Sequence, residues 1–191
     1  MLFLLSLILI ILLHETAHLI IAKKCGCKVL KFSIGFGKPI LFSKNINGTI
    51  YQITPWIIGG FVQLKGELEI SSEKDTFINM PYRKKLAISI AGCAMNMITG
   101  LLGIVIGLFF KYYPIYYLGY LSFLLGISNW FLPIPCLDGG YALWYPILIK
   151  FFGREKGTLI FAKSVHISFI IIMALTIAYI PLLIQLILGR I

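Results

Sequence analysis

Two histidines four residues apart with a glutamate between them, His14, Glu15 and His18 in the pentapeptide H-E-T-A-H, carry the clearest chemistry in this 191-residue chain. On a helix, positions i and i+4 share a face, so both imidazoles can reach one metal ion. The adjoining carboxylate is the residue type that takes a proton from metal-bound water in H-E-x-x-H sites. Zinc lowers the pKa of such a water from about 15.7 to roughly 7, which makes hydroxide available at neutral pH.

The setting makes the motif unusual. It interrupts an otherwise continuous apolar stretch from Met1 to Ala22. A charge at the centre of a membrane helix costs roughly 2.5–3.5 kcal/mol on insertion scales, so charged residues there mark function by default. Only three histidines occur, and the third, His166, lies in the last apolar stretch, where a buried or interfacial role is expected of it.

One zinc ion held this way needs a third protein ligand. The chain has seven acidic residues. Glu67, Glu69, Glu73 and Asp75 fall in a charged segment read as a solvated loop, and Glu155 falls between two apolar spans. Apart from Glu15, only Asp138 is embedded in apolar sequence. Pro133, Pro135, Gly139 and Gly140 interrupt helix around it, and broken helix at membrane depth tends to line a cavity. Asp138 is therefore the expected third ligand. Cys136, two residues away, is read as an apolar filler.

The elements that must position these groups follow from composition. Apolar residues make up 59% of the chain and its mean hydropathy is +0.94, against about 45–50% apolar in soluble domains. Lipid must be the solvent for much of it. The expectation is one membrane-embedded α-helical domain over 1–191 with about four transmembrane helices: 1–22, 86–110, 115–152 (broken at the expected ligand) and 158–188. Between the first two, residues 29–69 predict a small membrane-associated β-sheet or hairpin. Asn47-Gly48 is a hairpin turn signal, the following T-I-Y-Q-I-T is β-prone, and Pro55 and the Gly59-Gly60 pair break the run.

The net charge of +10 comes from basic residues clustered between the apolar spans. Eleven stand between the first and second spans, Lys111 alone between the second and third, and Lys150, Arg154 and Lys156 after the third. By the positive-inside rule the first and third connections face the cytosol and both termini face outward. This pattern also excludes nucleic acid as the partner. His14 lies eight residues before Ala22, about 12 Å along a helix, which puts the metal within the bilayer, nearer the cytosolic side. Asn96, Thr99 and Asn129 are candidates to line a water-filled cavity there. Met1 to Leu13 lacks a basic leader and a small-residue cleavage site, so it is read as retained. The cysteines Cys25, Cys27, Cys93 and Cys136 show no disulfide framework.

At this point the residues resemble the site-2 protease family of intramembrane zinc metalloproteases. The likeness rests on H-E-T-A-H at 14–18, Cys25-Gly26 followed by F-S-I-G-F-G-K at 32–38, G-G-F-V at 59–62, Ala91-Gly92 with Asn96, and the stretch from Asn129 to L-D-G-G at 137–140. It implies that His14, His18 and Asp138 bind one Zn2+ per chain and that Glu15 is the general base. It also implies that Asn129 positions substrate and that the sheet around Gly59 and Gly60 offers an edge to an unwound substrate. Asn96 is grouped with these as a substrate-positioning residue. The implied partners are a transmembrane protein or peptide substrate, membrane lipid and a regulatory membrane protein, in a bacterial cell membrane. Two positions depart from the family's pattern: Ile57 and Cys93 stand where proline is frequent. With Lys111 to Pro114 too short to hold a PDZ domain and no CBS domain after the last span, the chain reads as a minimal catalytic core. Two other readings stand beside this one: a zinc carrier or sensor without catalysis, which uses the same ligands, and a protease of the prenyl-protein processing type, which takes a later glutamate as third ligand and has more spans.

Overall fold

The computed structural model describes residues 2–67, 73 and 75–187. The elements run α1 (Leu2–Lys24), β1 (Val29–Phe36), β2 (Phe42–Ile46), β3 (Thr49–Ile53), β4 (Trp56–Leu64), a 3-10 turn (Phe77–Asn79), α2 (Tyr82–Phe109), α3 (Tyr113–Phe131), α4 (Asp138–Phe152) and α5 (Arg154–Ile187). Met1, Glu69 and Leu188, limits of the expected segments, lie outside the described residues.

Among the described residues, three segments are long and apolar enough to cross a membrane: Leu5–Lys24, Tyr82–Phe109 and Arg154–Leu175. The expected third span resolves into two helices instead of one. The tyrosine-rich α3 ends at Phe131, and α4, 15 residues with Pro146 inside, is about 22 Å long, short of the ~30 Å hydrocarbon core. Three segments thus meet the length and composition of a span, with α3 and the short α4 between the second and the third of them.

Helices α2 and α3 pack almost backbone to backbone. A β-carbon on Gly100, Gly107 or Gly119 would lie 2.4–2.5 Å from the facing backbone. Small residues let helices approach this closely where lipid offers no hydrophobic drive to associate.

The four strands form one sheet in the order β2-β3-β1-β4. Strands β2 and β3 make a hairpin closed by Asn47-Gly48, both in the left-handed region (φ 52° and 79°), as a two-residue type I′ turn requires. Strand β1 then pairs parallel with β3 and antiparallel with β4. Gly59-Gly60 was expected to break the run, yet β4 continues through it, with Gly60 opposite Ile34. The glycines are there for close approach: a β-carbon on Gly60 would lie 2.7 Å from Glu15 Cγ, and one on Gly59 would lie 2.8 Å from the Phe36 ring.

The segment after β4 is less solvated than its charge suggests. Glu67 is half-buried and accepts a hydrogen bond from the Leu64 N–H at 3.4 Å. Burial pushes its carboxyl up to about 7, although the Leu64 N–H works in the other direction. Lys65 bridges Glu73 and Asp75, and Thr76 and Phe77 are almost fully buried. Phe77 joins Tyr141, Tyr145 and Phe161 in an aromatic cluster with ring centroids 4.7–5.5 Å apart. That cluster pins α4 and α5 to the 3-10 turn and fixes the helix that begins at Asp138.

Candidate metal centre

Helix α1 presents His14 and His18 one turn apart, their rings edge to face with centroids 4.8 Å apart. Asp138 arrives from the start of α4. The His14 and His18 Nε2 atoms are 3.2 Å apart, and Asp138 Oδ2 lies 3.1 Å from His14 Nε2 and 3.2 Å from His18 Nε2. Donors bound tetrahedrally to one zinc at ~2.0–2.2 Å stand about 3.3 Å apart, so the triangle has the right size. His14, Glu15 and His18 are each 8% exposed. Among the described residues these three ligands form the one cluster of histidine, cysteine or carboxylate groups able to hold a metal.

The local backbone explains how Asp138 gets there. Residues 132–137 fold back over the start of α4, with Leu137 N–H donating to the Ile134 carbonyl at 2.9 Å. No side chain fits beneath that loop. A β-carbon on Gly139 would stand 1.8 Å from the Trp130 carbonyl oxygen, and one on Gly140 1.9 Å from that of Ile134. The Gly-Gly pair after Asp138 is therefore a packing requirement.

Gly92 of α2 is a functional position that sequence reasoning missed. A β-carbon there would lie 2.3 Å from His18 Nε2 and 2.6 Å from His14 Nε2, which is close to coordination distance from both nitrogens. The absence of a side chain at Gly92 keeps open the space into which both imidazoles point. This cradle, together with two imidazoles and a carboxylate as donor set, fits zinc. The available signal was a mid-helix glycine four residues before Asn96, on the same helix face.

The surrounding polar groups are disposed unevenly. His18 Nδ1 donates to the Ile88 carbonyl at 2.7 Å, which leaves Nε2 as the ring's acceptor. His14 Nδ1 faces the Asn96 amide at 3.1 Å. Asn96 is 4% exposed and stands on the Nδ1 side of His14. Thr99 bonds within α2 and lies 3.3 Å from Ser122 Oγ of α3. Asn129, in the last turn of α3, places its Nδ2 2.9 Å from Asp138 Oδ2 and 3.2 Å from His14 Nε2. The buried Cys93 thiol is 3.2 Å from Asp138 Oδ2, a contact that the sequence did not suggest. Cys136 is a half-buried free thiol outside the ligand cluster. His166 is exposed on α5 and bonds the Ala162 carbonyl at 2.7 Å.

Glu15 turns from the ligand triangle toward the sheet, its Cγ against Gly60 and near the Ser33 carbonyl. Strand β4, at the edge of the sheet, is thus the strand beside the proposed base. The site thus joins a histidine pair on an apolar helix, a carboxylate from the start of α4 and a second carboxylate beside a sheet edge.

Comparison with known proteins agrees. The family model described as peptidase family M50 matches residues 2–116. The chain belongs to peptidase family M50. It is 38% identical over 104 residues to a provisionally named zinc metalloprotease of Borreliella burgdorferi, covering 49% of this chain and 24% of that protein. Similarly named proteins of Neisseria meningitidis (33% over 104 residues, 52% and 23%) and Helicobacter pylori (37% over 105 residues, 51% and 30%) match as well. The chain thus spans about a quarter of the length of these curated relatives.

Proposed function

We propose that this chain is the catalytic unit of an intramembrane zinc endopeptidase that cleaves transmembrane segments of single-span proteins or signal-peptide remnants. The observation that carries the reading is the convergence of His14 and His18, on a helix of membrane-spanning length, with Asp138 at the start of α4, and with Glu15 next to His14 in the chain. Zinc held by these three residues would supply a Lewis acid that polarises the scissile carbonyl and acidifies the attacking water.

The chain's own residues do the rest. The Glu15 carboxylate accepts the proton of the attacking water and returns it to the leaving amide nitrogen. The Asn129 amide, next to both His14 and Asp138, holds the substrate carbonyl by hydrogen bonding. The outer edge of β4 pairs with a substrate stretch that has left its helix, because a helical segment hides its peptide bonds and an extended one does not. Gly60 lets that strand run close to Glu15, and Gly59 lets it pass the Phe36 ring. The positive-inside rule supports a cytosol-facing sheet and outward termini, and similarity to proteins of bacteria supports a bacterial cell-membrane location. The partners are the membrane-spanning substrate, the surrounding lipid and a regulatory membrane protein.

The test is Glu15→Gln in proteoliposomes carrying a single-span substrate. One zinc per chain should remain, and cleavage should fall by roughly 10²–10⁴-fold, the usual share of general acid–base catalysis. Undiminished cleavage would sink the assignment. Zinc uptake by the same variant would favour the carrier reading.

A further inference from the structure

We propose that Asn96 is the positioning residue that sets His14 in its metal-binding form, by turning its side-chain amide to accept a hydrogen bond from His14 Nδ1. The inference rests on the metal-centre reading above. An imidazole can offer its Nε2 lone pair to a metal only when Nδ1 carries the proton, and a buried N–H needs an acceptor. His18 has one that can do nothing else, the Ile88 carbonyl. His14 faces an amide, which can present either end.

The Asn96 Nδ2 group lies 3.1 Å from His14 Nδ1, and His14 Nε2 lies 3.1 Å from Asp138 Oδ2. With the His14 proton on Nε2, Asn96 donates to Nδ1 and Nε2–H donates to the carboxylate. Loading a metal on Nε2 requires this pattern to reverse, with Nδ1–H donating to Asn96 Oδ1.

Two observations support this turn of the amide. Among the described residues its buried Oδ1 has no hydrogen-bond partner, and the contact of its Nδ2 is with His14. The backbone beneath it is held: Ser122 Oγ donates to the Asn96 carbonyl at 3.0 Å. With Asn96 only 4% exposed, its Oδ1 is the acceptor that the turn brings to His14 Nδ1–H. Asn96 therefore acts through His14, and the substrate does not touch it.

The experiment is a Zn2+ titration of the chelator-stripped chain in detergent against a chromophoric competitor, for wild type, Asn96→Leu and Asn96→Asp. Thermal unfolding of each metal-free protein serves as the control. Asn96→Leu removes the acceptor and should weaken zinc binding roughly 10–100-fold, the usual effect of losing such an outer partner. Asn96→Asp, which can only accept, should bind zinc at wild-type affinity or tighter. In wild type, 15N spectra of labelled histidine should place the His14 proton on Nδ1 when zinc is present. Equal affinity in Asn96→Leu overturns the proposal, and so does Asp weakening binding as Leu does, because the amide N–H is then what matters. Should Asn96→Leu fail to fold, Asn96→Asp alone decides by the same criterion. Failure of wild type to bind zinc at all defeats the metal-centre reading instead.

Discussion

The cluster around His14 and the β2–β3 hairpin invert the usual placement of side chains in opposite senses. In the cluster, His14, Glu15, His18 and Asn96 are at most 8% exposed among apolar helices. In the hairpin, Phe42, Ile46, Ile50 and Ile53, with Leu41 beside them, are 37–61% exposed. Burying polar groups is costly unless each finds a partner, and the partners here are one another: two imidazoles, a carboxylate and two amides within 3.2 Å contacts. Exposed apolar surface is costly only in water. The cluster is therefore specified by exact partners and open space, whereas the hairpin is specified by its surroundings. A single atom should matter in one region, and solvent contact should matter in the other.

The strongest way to break this contrast is Gly92→Ala. One added methyl lies 2.3 Å and 2.6 Å from the two Nε2 atoms. Zinc affinity should fall by more than about 100-fold, the upper end of the range for outer-shell changes, because this change intrudes on the ligands themselves. Wild-type affinity measured by equilibrium dialysis would show that the space is not the metal's. A middle-sized effect tests the hairpin. In a variant that keeps Trp56 and replaces Trp130 and Trp144 by Phe, brominated lipid should quench most of the Trp56 fluorescence, because that ring is 50% exposed on the same sheet. Introducing Leu41→Asp and Phe42→Asp should reduce the quenching and leave zinc affinity unchanged. The smallest effect is expected at Thr49→Val. Its hydroxyl donates to the Val29 carbonyl at 3.0 Å across β3 and β1, and its loss should cost about 1 kcal/mol in unfolding experiments. A shift in metal affinity would mean that the two regions are coupled.

Spacing along one helix made His14 and His18 legible, because i and i+4 always meet. Asp138 emerged from a scarcity of acidic residues in apolar sequence, and the N-G turn emerged from its need for two left-handed residues. What stayed hidden depends on tertiary approach. Gly92 looks like any helix glycine until two histidines from α1 stand over it. Gly59-Gly60 reads as a break, and only the Glu15 side chain pressed against β4 explains it. Glu67 reads as solvated, and its burial depends on how the chain returns from β4. Pairing of β1 with β3 in parallel leaves no local trace, since the hairpin that separates them in sequence is itself regular. The division of the expected third span into α3 and α4 was signalled by prolines and glycines, but their effect on span count depended on the length left for α4.

The loop that folds over Gly139 and Gly140 also has a consequence for inheritance. Any amino-acid replacement at either codon sets a β-carbon within 2 Å of a carbonyl oxygen and pushes α4 out of place. A lineage could lose its metal this way with all three ligands still encoded. Intact His14, His18 and Asp138 in a descendant gene would then be a poor record of activity, and the two glycines a better one.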